Sequence, residues 1–288
     1  MPEASILPRN KDRLLVLAAA LLFSSGGAAV KACSLSGFQI ASFRSGLAAL
    51  ALITLIPAAR RNWNWRTWSV GFAYAGTMVF FVVANKLTTA ANTIFLQDAA
   101  PLYILLLSPW LLKEKIRQRD LFFMTAIAIG MCLFFVGTQP TSATAPHPLQ
   151  GNILAVLAGV CWAFTLMGFR WLGQHGQTDS APAAVAAGNL IAFVGVAPFA
   201  LPVSRVGVTD WAIVIVLGLF QIALAYVLLT RGMKKVPALD ASLLLLLEPM
   251  LNPVWAFLVH AELPTVWAFL GAVIVLGTTT LRTVYEAK

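Results

Sequence analysis

Ten stretches of predominantly apolar residues follow one another along the chain, near 14–31, 37–57, 67–85, 90–112, 119–137, 151–172, 182–201, 209–231, 238–260 and 263–283. No other feature constrains the fold as tightly. A helix needs ~20 apolar residues to cross the ~30 Å hydrocarbon core of a bilayer, so each stretch predicts one crossing. Only structures that satisfy every backbone polar group internally survive there, and for runs of this length that means helices. Of the 288 residues 59% are hydrophobic and 11% charged. Roughly a quarter charged is usual for soluble domains, so a cytosolic enzyme, a nucleic-acid-binding domain and a disordered chain are all excluded.

The positive charges set an orientation. When loops are assigned alternately to two sides, sixteen of the twenty Lys and Arg fall on the side of both termini. Lys31, Lys86 and Arg205 fall on the other, and Arg44 lies inside a span. Because basic residues near helix ends stay cytoplasmic, both termini are expected inside a bacterial inner membrane. The net charge of +9 is thus an orientation signal, and no nucleic-acid partner is expected. Arg9, Lys11 and Arg13 ahead of the first run imitate a secretory leader, but an even number of spans requires that this helix be retained. Cys33, Cys132 and Cys161 carry no metal-ligand spacing and are expected to pack.

The segment Thr138–Gln150, rich in Pro, Ser, Thr and Ala, divides the chain in two. This predicts a first five-helix repeat over 1–140, an extracytoplasmic linker over 141–150 and a second repeat over 151–288. Pro101 and Glu114 are 13 residues apart, as are Pro249 and Glu262 at an offset of 148. Arg44 and Pro57 repeat the spacing, as do Asn189 and Pro202. KEKIRQR follows the fourth run and HAELPT the ninth, so matched segments carry opposite charge signatures. Five helices per repeat is odd, so the second repeat runs upside down. The expected fold class is an all-α membrane protein of ten transmembrane helices in two inverted five-helix repeats, an arrangement typical of alternating-access carriers.

These residues carry a family resemblance. Arg44 early in the second helix, Pro101 with Glu114, and the Leu247-Glu248-Pro249 run resemble the drug/metabolite transporter superfamily, EamA branch, and within it the YddG-type exporters of aromatic amino acids. The resemblance implies a bundle with helices 1, 3, 4, 6, 8 and 9 around a central cavity. Asn189 stands where the first repeat has Arg44, so that Arg serves no role required twice.

Ionisable groups at mid-span cost ~2.5–3.5 kcal/mol each and need compensation. Three qualify: Arg44, Asp98 and Glu248. Either carboxylate can hold a substrate amine or carry a coupling proton, or pair structurally with Arg44. Trp162 falls mid-span in the sixth helix, where its indole N–H requires a cavity or a protein partner. Asn85, Asn92, Phe95, Gln97, Tyr103, Gln221, Tyr226 and Asn252 are candidates for lining a substrate path, against the plainer reading of interhelical packing and hydrogen bonding. Ser24 to Gly27 are read as a close-packing stretch or a hinge. Walker, HExxH and GxSxG motifs are missing, which argues against an enzyme, and no cofactor or metal is expected. One intramembrane Arg against two acids disfavours a dianionic substrate. The expectation is a monomeric secondary exporter, surrounded by membrane lipid, for small neutral or zwitterionic metabolites, in particular aromatic or other bulky apolar amino acids; the alternative is a passive facilitator or channel.

Overall fold

The computed structural model describes residues 6–111, 118–136, 141–174, 180–203, 206–233, 236 and 238–286, and they are almost entirely helical. Glu114 of the repeat motif and Lys113, Lys115, Arg117, Arg205, Lys234, Lys235 and Lys288 of the charge count lie outside them. The helices are α1 Ile6–Ser24, α2 Gly26–Ala32, α3 Gly37–Leu55, α4 Trp65–Leu87, α5 Ala90–Asp98, α6 Ala100–Leu111 and α7 Gln118–Leu133. The second half comprises α8 Pro148–Gln174, α9 Ala181–Ala200, α10 Val208–Ile215, a π-helical segment Val216–Leu224, α11 Ala225–Gly232, α12 Ala238–Leu245, α13 Leu247–His260 and α14 Val266–Glu286. Among the described residues nine helical stretches are long and apolar enough to cross a membrane, and α7 adds a shorter apolar helix at the fifth position. The ten expected crossings are thus all occupied by helix.

Local chemistry sets the helix starts. Ser36 and Gln39 form a reciprocal capping box at the head of α3, satisfying two amides that have no intrahelical partner. The Asn64 side chain accepts from the Arg66 and Thr67 amides ahead of α4, and Thr89 Oγ1 accepts from the Asn92 amide ahead of α5. Ala261 takes a left-handed conformation, φ 52°, where α13 ends. In the linker Ser142 and Ala145 close a tight turn through mutual backbone bonds, and α8 begins at Pro148.

Four spans are interrupted, and two of the interruptions match across the repeats. The fourth span breaks at Ala99 and the ninth at Leu246, within one residue of the 148 offset and two or three residues ahead of Pro101 and Pro249. Proline cannot donate to the preceding turn and crowds it, which accounts for both breaks. The first span breaks at Ser25, and the eighth widens into the π-helical turn.

Packing obeys the same two-fold relation. α4 lies along α8, and the equivalent spans of the other repeat, the eighth and first, meet through α11 and α1. Contacts of α5 with α8 are mirrored by those of α13 with α1 and α2. The self-related pairs α3 with α9, α7 with α14 and α5 with α13 straddle the pseudo-axis. The two repeats therefore interleave, and the centre of the molecule lies between them.

Candidate functional site

At that centre lies a concentration of buried polar atoms with no hydrogen-bond partner among the described residues. They include Arg44 Nε, the Tyr74 hydroxyl, Asn189 Oδ1, Gln221 Oε1, Gln97 Oε1 and both amide atoms of Asn252. Each such orphan costs ~1–3 kcal/mol, so a group of them is a standing expense unless a ligand or water fills the gap. They come from the second, third, fourth, seventh, eighth and ninth spans, three from each repeat.

Glycines in the broken first span bring several of these together. A Cβ on Gly26 would meet Gln221 Nε2 at 2.9 Å, and one on Gly27 would meet Asn252 Oδ1 at 2.5 Å. The missing side chains let both amides lie against the α2 backbone. Gln221 Nε2 also donates to the Phe23 carbonyl at 3.4 Å, and the Trp255 indole donates to Ser24 Oγ at 2.9 Å. Ser24 to Gly27 are therefore a close-packing stretch, and Trp255 reaches inward to it.

Aromatic rings wall the neighbouring space. Tyr226 lies edge-on to Phe23 at 5.3 Å and to Tyr74 at 6.1 Å between ring centroids. Trp162 is half-buried and packs against the cluster containing Tyr74 as well as the main apolar core. Tyr74 stands within electrostatic reach of both the Arg44 guanidinium and the Glu248 carboxylate, with Asn189 and Tyr226 beside it. Glu248 and Asp98 lie within electrostatic reach of one another, at the two matched helix breaks, with Gln97 next to Asp98.

Among the described residues no ion pair joins Arg44 to either of these acids. Arg44, 1% exposed, donates through Nη2 to the Met78 carbonyl at 3.2 Å and approaches its sulfur at 3.7 Å. The carbonyl of Arg44 itself lies 2.8 Å from where a Cβ on Gly218 would stand, so the π-helical segment packs directly on this turn of α3. That contact holds the residue against α4 instead of the breaks.

Three sequence candidates find partners outside this centre, and a fourth, Asn85, bonds only within its own helix. Phe95 stacks on Phe134 at 5.9 Å, and Tyr103 donates to the Leu96 carbonyl at 3.2 Å with its ring against Gly159. Both belong to the core between α5, α6, α7 and α8. Asn92 donates to Asn152 Oδ1 at 3.0 Å, which also accepts from Thr88 Oγ1 at 2.7 Å. Asn85 back-bonds to the Phe81 carbonyl at 3.1 Å and keeps its own Oδ1 unpartnered.

One feature escaped the sequence reading altogether. Lys31 at the end of α2 pairs with Glu262 beyond α13 at 3.1 Å, with side chains 2% and 5% exposed. Lys31 also donates to the Thr88 carbonyl at 2.7 Å and to the Thr144 carbonyl of the linker. Glu262 accepts from the Ala90 amide at 2.6 Å, satisfying the first turn of α5. On the same side Ser34 donates its amide and hydroxyl to Asp210, both at 2.6 Å. Buried charge and linker together tie the two repeats to one another at the end away from the termini. Opposite charges on the two segments leading to that end, Lys31 and Glu262, were the available signal.

Residues 12–136 and 149–283 match the model of the EamA-like transporter family, one copy for each repeat. This chain belongs to that family. It is a multi-pass membrane transporter and not an enzyme. The uncharacterized transporter YetK of Bacillus subtilis (strain 168) is 32% identical over 179 residues, which are 58% of this chain and 52% of YetK, so the chain spans about half of that relative's length. The uncharacterized transporter YyaM of the same organism is 24% identical over 247 residues, 82% of this chain and 81% of YyaM. The threonine/homoserine exporter RhtA of Escherichia coli (strain K12) is 25% identical over 210 residues, 71% of this chain and 66% of RhtA. A solved crystal structure superposes with a TM-score of 0.61 at 19% identity, covering 97% of this chain and 99% of that one, and supports the fold.

Proposed function

We propose that the chain exports neutral amino acids, favouring bulky apolar side chains, from the cytoplasm across the bacterial inner membrane by alternating access. The observation that carries this reading is the set of unpartnered polar atoms contributed by both repeats beside two matched helix breaks. Broken helices near the midplane are where carriers expose backbone and side-chain groups to a solute.

A zwitterion fits the charges available. Two carboxyl groups within reach of one another, Asp98 and Glu248, call for a cation, and a substrate ammonium supplies it. Arg44 carries a buried charge with no ion pair among the described residues, and a carboxylate complements it. Trp162, Tyr74 and Tyr226 offer aromatic walls to the side chain, and the amides of Gln221, Asn252 and Asn189 offer acceptors and donors around it. Amino-acid export by RhtA, at 25% identity, lends support to the class. Glu248 is assigned the coupling role, since protonation at one unpaired acid biases the two faces differently.

Reconstitution into proteoliposomes tests this. Saturable uptake and counterflow of phenylalanine, tryptophan or leucine are expected. Glu248→Gln should remove the response to a pH gradient and leave counterflow largely intact. Saturable transport restricted to threonine and homoserine would move the substrate class to small polar amino acids, and flux without counterflow would make the protein a passive channel.

A further inference from the structure

A cavity formed by the same helices as this polar centre has a different chemistry. It is a groove of about 750 Å³ between α4, α8 and α9, lined by Phe72, Gly76, Cys161, Phe164, Ala192 and Gly195 among other apolar groups. The glycines explain its shape. A Cβ on Gly76 would meet Cys161 Sγ at 2.8 Å, and one on Gly168 would meet Val70 at 2.7 Å, so α4 and α8 close into a floor. Gly195 has nothing within 4 Å of where its Cβ would stand, which leaves the wall on α9 open. The one hydroxyl in the lining, Ser69, is already bonded to the Arg66 carbonyl at 2.8 Å. Besides Ser69 only the Cys161 thiol and the Trp171 indole carry polar atoms in this lining, which suits hydrocarbon far better than a polar solute.

One end of the groove is charged. Arg66 sits one turn before Ser69, and its guanidinium lies 5.6 Å from the Trp65 ring and 5.5 Å from that of Trp171, itself a lining residue. Arg66 Nε is buried without a hydrogen-bond partner, and the guanidinium has no ion pair among the described residues. A guanidinium held between aromatic faces, with an unpartnered Nε donor, is a group that phosphate oxygens accept from. Tryptophans belong at the headgroup level. The length also matches: Ser69 to Phe80 along α4 rises ~16 Å, about half the ~30 Å hydrocarbon core. Phe72 and Trp65, 72% and 68% exposed, flank the groove and face outward, where the bilayer lies.

We propose that this groove binds an anionic phospholipid from the leaflet on the side of the termini, one acyl chain lying between α4, α8 and α9 and the phosphate resting on Arg66. Native mass spectrometry of the full chain in detergent tests it, with phosphatidylglycerol and phosphatidylcholine of identical acyl chains added in separate arms and inorganic phosphate as a competitor. The wild-type chain should retain one phosphatidylglycerol about fivefold better than phosphatidylcholine, the ratio expected from one basic residue near an anionic lipid. Arg66→Gln should erase that preference, Arg66→Lys should keep part of it, and Gly195→Phe, which fills open space, should reduce retention of both lipids. Inorganic phosphate should not compete. Equal retention of the two lipids by the wild type, or an unchanged preference in Arg66→Gln, would overturn the proposal. Displacement by inorganic phosphate would reduce the site to a phosphate contact, and a dimer that Gly195→Phe dissociates would assign the groove to a second copy of the chain; either result also overturns it.

Discussion

Glu262→Gln isolates what the buried pair with Lys31 does. The amide keeps an acceptor for the Ala90 amide, so the start of α5 stays satisfied, while the charge opposite Lys31 disappears. With side chains 2% and 5% exposed, little water reaches the ammonium left behind. Removing one partner of a buried pair costs about 3–5 kcal/mol because the other charge stays uncompensated. The Thr88 and Thr144 carbonyls remain as acceptors and put the cost toward the lower figure. The penalty falls on the conformation closed at the linker side; one opened there hydrates Lys31. About 3 kcal/mol corresponds to a shift on the order of 100-fold in the ratio of the two states. The readout is the labelling rate of a single Cys at Asn252, with Cys33, Cys132 and Cys161 replaced by Ser, by a membrane-impermeant thiol reagent added from the linker side. Glu262→Gln should speed labelling steeply, and adding Lys31→Met should restore most of the slow rate, since a neutral pair carries no stranded charge. An unchanged rate in Glu262→Gln, or no recovery in the double variant, would refute this account of closure.

Three further outcomes follow from individual residues. Trp162→Ala should lower transport while leaving insertion and thermal stability near wild type, and unchanged flux across the substrate panel would return the indole to packing. Gly159→Ala would place a methyl 2.5 Å from the Tyr103 ring and 2.9 Å from the Gln97 and Leu96 carbonyls; it should cost about 1–3 kcal/mol and lower Tm, whereas Gly195→Ala, with open space, should not. A single Cys at Ser142 should be labelled on intact cells by the same impermeant reagent, and labelling only after lysis would invert the topology.

Much of this architecture is legible in one dimension, because the bilayer demands length and apolarity from every span and the two-fold relation imposes a spacing that survives in Pro101, Pro249 and the 148 offset. Pro101 and Pro249 also account locally for the breaks in the fourth and ninth spans, through the loss of a backbone donor. Which polar groups meet is not local. Asn92 and Gln221 look alike in sequence, yet one closes onto Asn152 and the other lies on Gly26 beside the centre, because neighbouring helices decide what each amide faces. Phe95 went to the core for the same reason, with Phe134 filling its face. Arg44 was recognisable as a buried charge, but its turn toward Met78 depends on how α3 leans on α4 and on the π-helical segment. The Lys31–Glu262 pair spans 231 positions of chain, and only the interleaving of the two repeats brings a lysine from the first span against a glutamate after the ninth.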